Sequence, residues 1–167
     1  MLGKIILGIL TKEVERIDLP IKLLEEIWGE EEMRSEVIPF DFTDYYEKEM
    51  GKNLSRLWVS FLRPFPAEAM RDLKLQSLAV EKKFQNPLGG RQFNLDPGLL
   101  TLSNLCLLTH KNYAHRIYLG AGIFCEVTLL YKNKTFEKLP WTYPDYSSAV
   151  AINFFQEVRQ RLLRKSR

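Results

Sequence analysis

The chain has 167 residues, 46% hydrophobic and 27% charged, the size and mixture of one globular domain, which excludes a disordered or low-complexity chain. A formal net charge of +3 is too small for a dedicated nucleic-acid binder, whose basic field is dense. Cys106 and Cys125 stand far apart and outside any CxxC pattern, which argues against a structural zinc site and fits a reducing, cytoplasmic setting.

Residues 4–10, KIILGIL, have the length and apolarity of a central strand covered on both faces. The run is too short for the apolar region of a signal peptide or for a membrane span. Asp18 is expected to cap a helix to about Trp28, with Pro20 in its first turn and Gly29 just past its end. A second strand is predicted over 35–42, where Val37, Pro39 and Asp41 alternate with Ile38, Phe40 and Phe42; Pro39 marks it as an edge or an irregular end. Asp44 and Glu47 then have capping-box spacing, and Gly51 stands where a short helix would stop.

LSRLWVSFLRPF, residues 54–65, reads as a third strand, and 66–84 as an amphipathic helix with Met70, Leu73, Val80 and Phe84 on one stripe. NLDPG, residues 94–98, has the chemistry of a turn, and an apolar segment follows from Leu99 to Thr109. RIYL, IFCEVTLLY and FEKL, separated by Gly-Ala-Gly and Lys-Asn-Lys, form an antiparallel meander. A last helix runs from about Ser147 to Lys165 with Val150, Phe154, Val158 and Leu162 at four-residue intervals; residues 164–167 are expected to fray. The order predicts an α+β fold with a mostly antiparallel sheet, ferredoxin-like β-α-β-β-α-β extended by a β meander and a C-terminal helix, in a single domain over 1–167.

Polar residues without a structural duty are candidates for function. Asp41 lies between two phenylalanines, where no capping role accounts for it. Asn94 and Asp96 adjoin a segment flanked by the two histidines, His110 and His115. His115 exchanges a proton near neutral pH, and Arg116 offers a planar fork to an anion. Glu126 stands in the next strand, where the plain alternative is a solvent-facing position. As strand neighbours, His115 and Arg116 would point to opposite faces, so an irregular backbone at 113–115 is required if both are to serve one site. Trp141 and Tyr143 present flat faces for a base or a sugar, or else simply lid the core. PLGGRQF would form a small anion nest beside Arg91.

The expected site therefore has His115 and Asp96 in catalytic roles and Arg116, Asp41, Asn94, Glu126, Trp141 and Tyr143 on the ligand. That ligand is a small anionic molecule such as a nucleotide or phosphate compound, with a divalent cation as candidate cofactor and no membrane partner. The GxxxxGK[ST] and GxGxxG phosphate motifs are absent, as are HExxH and a serine elbow. Two readings compete: a metal-assisted phosphoester hydrolase, which needs the carboxylates to converge, and an RNA-contacting module using the basic terminus RQRLLRKSR.

Four stretches, PFDFTDYYEKEMG, NLDPGLLTL, AHRIYLGAGIFCEVTLLY and PWTYPDY, resemble in order the pattern of the prokaryotic domain-of-unknown-function family 4416. The resemblance runs from about Lys4 into the last helix and implies no established activity or catalytic residue, although members are sometimes labelled GTP-binding. Gly120-Ala121-Gly122 departs from the Gly-Asp-Gly of that pattern, so a function resting on its aspartate is not expected here.

Overall fold

In the computed structural model, residues 1–165 are described. In chain order the elements are β1 (Leu2–Thr11), α1 (Asp18–Trp28), β2 (Glu31–Arg34), β3 (Ile38–Pro39), α2 (Glu47–Met50), β4 (Ser55–Pro66), α3 (Met70–Lys83), β5 (Phe93–Leu100), β6 (Asn104–Thr109), β7 (Ile117–Gly120), β8 (Ile123–Lys132), β9 (Thr135–Lys138) and α4 (Ala149–Lys165). The strands form one sheet in the order β2-β4-β1-β5-β6-β8-β7, with β3 also on β4 and β9 also on β8. Every pairing is antiparallel, so the fold is α+β with a nine-stranded antiparallel sheet.

The unbroken apolarity of β1 follows from cover on both faces. Ile5, Leu7 and Ile9 pack toward Ile21, Leu24 and Trp28 of α1 and Leu73 and Val80 of α3. Ile6, on the alternate face, packs with Trp58 against Ala151, Phe154, Phe155 and Val158 of α4. Each fully buried residue of this size contributes roughly 1.5–3 kcal/mol, so α4 is held by its apolar stripe. Residues 166 and 167, half of the segment expected to fray, lie outside the described residues.

Several expectations are corrected. Asp18 is the first helical residue and pairs with Arg34 at 2.9 Å; Ile17 holds the cap position without a side-chain bond. Asp44 makes no cap either: α2 starts after Tyr46, and Asp44 contributes only its carbonyl, which accepts from the Glu47 N–H at 2.9 Å. Of the strand expected over 35–42 only β3, Ile38–Pro39, forms, because Pro39 lacks a donor and the chain leaves β4 soon after it, while a separate short strand, β2, pairs with β4 earlier, at 31–34. A short 3-10 turn at Ala67–Ala69 precedes α3, which therefore begins at Met70.

The largest correction concerns NLDPG, which is no turn. It lies inside β5, with Asp96 opposite Gly8 and Pro97 opposite Leu7 of β1. Long-range pairing overrides the local turn chemistry.

Candidate functional site

β6 pairs with β5 at only three positions, Gly98–Leu107, Leu99–Cys106 and Leu100–Leu105. From Phe93 to Pro97, β5 has β1 on one flank and no strand on the other. Buried backbone groups need partners wherever the ladder stops, and side chains of α3 supply them. Lys74 Nζ donates to the Leu95 carbonyl at 2.8 Å, and the Leu95 N–H donates to Glu81 Oε1 at 2.6 Å. Pro97 has no N–H to satisfy.

The parting of the strands opens a cavity of about 520 Å³. Its wall is built from β5, the end of β6, the 40–46 loop, the 109–111 loop with Arg116, and the 143–146 segment, and it reaches through the sheet from Lys74 on one side to Tyr146 on the other.

Arg56 of β4 lies at the centre, its side chain buried. Its Nε donates to Asp145 at 2.8 Å and its Nη1 to Asp96 at 3.1 Å, with the rings of Phe40 and Tyr146 at 5.5 and 5.7 Å. An unpaired buried guanidinium would be very costly; two carboxylates make this one tolerable. Burial pushes the Asp96 carboxyl up, but Arg56, Lys74 and Arg91 outweigh it and hold the group below its ordinary range. Asp145 goes the other way, because burial there prevails over Arg56. Asn94 Nδ2 donates to Asp96 at 2.6 Å and its Oδ1 accepts from Arg91, whose other nitrogens hold Glu49 at 2.7 and 2.8 Å. Asp96 is thus a fixed anion with a full set of donors, suited to orienting rather than to donating a proton.

The expected site residues are partly gathered. Asn94, Asp96, Arg116, Glu126 and Tyr143 line the cavity. Asp41 is exposed and is not part of the wall, which its neighbours Phe40 and Phe42 join instead. His115 lies in a turn closed by the Arg116 N–H on the Tyr113 carbonyl at 3.0 Å, and that irregularity lets adjacent side chains converge. His115 Nε2 is 3.0 Å from Glu126 Oε2, and Arg116 Nε donates to the same oxygen at 2.8 Å.

His115 itself stands outside the wall, stacked on Trp141 at 4.8 Å with 12° between the planes; Trp141 is likewise outside and donates to the Val127 carbonyl. Arg116 is fully engaged, donating also to the Lys111 carbonyl at 3.0 Å and the Tyr143 hydroxyl at 2.8 Å. Glu126 is 3% exposed, which removes the solvent-facing alternative.

Sequence reasoning missed Arg56, Lys74, Lys111 and Asp145 and used His110 only as a marker. The available signals were a basic residue inside the apolar strand LSRLWVSF and a lysine between apolar positions of a helix. The PLGGRQF loop does not present a free nest, since Asn86 Oδ1 accepts from the N–H groups of Leu88 and Gly90; Arg91 alone reaches the cavity.

Among the described residues, no three His, Cys, Asp or Glu side chains converge as a metal-binding group, and no helix is long and apolar enough to cross a membrane. No curated protein and no solved structure matches the chain. A family model does, over residues 2–162, and the chain belongs to the family described as Domain of unknown function (DUF4416).

Proposed function

We propose that this chain is a cytoplasmic binding protein for a small anionic ligand with a flat ring, such as a nucleotide or related phosphate compound, seated where β5 and β6 part. The supporting observation is the wall itself. Arg56, Lys74, Arg91, Lys111 and Arg116 face Asp96, Glu126 and Asp145, an excess of two positive charges, beside the rings of Phe40, Phe42, Tyr45 and Tyr143. Asp96 and Asp145 answer Arg56, Glu126 answers Arg116 and Glu49 answers Arg91, which leaves Lys74 and Lys111 toward the ligand, with Arg91 held beside them. Each lysine carries three donors. Lys74 gives one to Leu95 and Lys111 one to the exposed Tyr45 hydroxyl at 2.6 Å.

In this reading Arg116 orients Tyr143 for stacking, Asn94 and Asp96 fix Arg91 and Arg56, and the Glu126–His115–Trp141 group braces the wall from behind. The strand order β2-β4-β1-β5, with α1 and α3 on one face, supports a ferredoxin-like unit as the scaffold, to which β6–β9 and α4 are added. Hydrolysis assisted by a metal is not favoured, because Asp96 and Glu126 each hold an arginine and Asp41 points elsewhere.

A thermal-shift screen of nucleotides, phosphates and sulfate, with and without magnesium, tests the proposal. Ligand at 100 times its Kd stabilises by about 2.7 kcal/mol, a visible rise in Tm. Lys111→Ala should weaken the response without lowering the unliganded Tm, since Lys111 is exposed. Arg116→Lys should weaken it for ring-bearing anions more than for sulfate. If no anion raises the wild-type Tm, the proposal fails.

A further inference from the structure

We propose that His110 is the proton acceptor of the cavity: a dianionic ligand seated among Lys74, Arg91 and Lys111 is joined by a proton taken from solvent onto the His110 imidazole. The inference rests on the anion-binding reading above and adds to it a residue that sets which charge state of the ligand is preferred.

His110 follows β6 directly and lines the mouth of the cavity. The only other histidine is bound to Glu126 and stacked on Trp141. His110 has no hydrogen-bond partner among the described residues, whereas Lys74, Arg91, Lys111 and Arg116 each donate to a protein oxygen. It is therefore a titratable group on the wall whose ring nitrogens remain available to a ligand.

The charged groups around it come from every side. Lys74 faces it from α3, Lys111 follows it in the chain, Arg91 precedes β5, and Asp96 on β5 is the one carboxylate among them. Partial burial, followed by Lys74, Lys111 and Arg91, holds the imidazole below the ordinary histidine range against the pull of Asp96. In the free protein at neutral pH the ring is neutral, with one nitrogen donating and one accepting.

A dianion among the same three cations cancels their field and adds its own, which favours the imidazolium. The ring then supplies a second N–H and a positive charge to the ligand. By linkage, affinity is highest below the free-state pKa, falls as pH rises through the bound-state pKa, and is flat above it. Each pH unit between the two values is worth tenfold in affinity.

Proton NMR of the full chain reads this directly, because two histidines give two ring Hε1 signals, assigned with His110→Gln and His115→Gln. Sulfate is the probe, since it does not titrate in the range used. We expect sulfate to raise the midpoint of the His110 signal and leave that of His115 nearly in place. Sulfate affinity should rise severalfold from about pH 7.5 to about pH 5.5, and His110→Gln should abolish that rise. Sulfate that shifts other cavity signals while the His110 midpoint stays fixed, or an undiminished pH dependence in His110→Gln, overturns this inference alone. No sulfate or nucleotide binding at any pH overturns the cavity reading and this inference together.

Discussion

Gly8→Ala is the most informative single change in the scaffold beneath the site. Gly8 lies on β1 between Trp58 of β4 and Asp96 of β5. A methyl there would overlap the Tyr146 hydroxyl and stand 3.3 Å from Arg56 Nη1. Two effects oppose. Alanine restricts the unfolded chain, which stabilises by about 0.4–1 kcal/mol where the backbone accepts it. Against this, Tyr146 is fully buried, stacked on Phe155 at 6.0 Å and edge-on to Trp58 at 5.4 Å, so its hydroxyl has nowhere to go. Overpacking of this kind costs about 1–3 kcal/mol, and loosening one Arg56 hydrogen bond adds about 1.5–3 kcal/mol.

The clash wins, with a net loss of about 1.5–5.5 kcal/mol by these terms. Among the described residues, the buried Tyr146 hydroxyl and Trp58 Nε1 lie beside each other, and neither makes a well-formed hydrogen bond to any other group. Tyr146→Phe alone should therefore change stability by less than about 1 kcal/mol, yet it should restore at least about 1 kcal/mol to Gly8→Ala. Urea unfolding of the four proteins gives the cycle as shifts in midpoint at constant m. Additive losses, or a neutral Gly8→Ala, would refute the account of Tyr146 resting on bare backbone.

Two further outcomes follow from local geometry. Asp44→Ala should alter stability by no more than about 0.5 kcal/mol in urea unfolding, because the side chain caps nothing; a loss above about 1 kcal/mol would restore the cap. Ala121→Gly should raise stability by about 1 kcal/mol, since Ala121 sits at φ 52°, a left-handed conformation that costs an L-residue roughly 1–2 kcal/mol; differential calorimetry that shows a lower Tm would contradict this.

The regular elements were readable because their patterns are dense. The apolar run of β1, the four-residue stripe of α4 and the punctuated meander each encode burial directly. NLDPG misled because its turn chemistry is local while its fate is not: Asp96 is held by Arg56, 40 positions away in the chain, and the Leu95 main chain is held by α3. For the same reason the site was half legible. Asn94, Asp96, Arg116, Glu126 and Tyr143 were singled out by residue type, but their partners Arg56, Lys74 and Asp145 come from segments read as core strand, amphipathic helix and aromatic corner. Buried charges are invisible to periodicity, which scores a lysine as surface whichever way it points.

The three-pair junction of β5 and β6 makes the sheet a fork. One prong is β2-β4-β1-β5, the other β6-β8-β7 with β9. Both prongs are strapped from outside the cavity: α3 touches β5, β6 and β8 on one face, and α4 touches β1, β4, β5 and β9 on the other. The gap between the prongs is therefore set by two helices, while the chemistry facing into it is divided between side chains of regular elements, Arg56, Lys74, Asp96 and Glu126 among them, and three loops. Insertions or substitutions in 40–46, 109–116 or 143–146 can retune what the gap holds without moving its edges, whereas a change in the packing of α3 alters its width for every ligand at once.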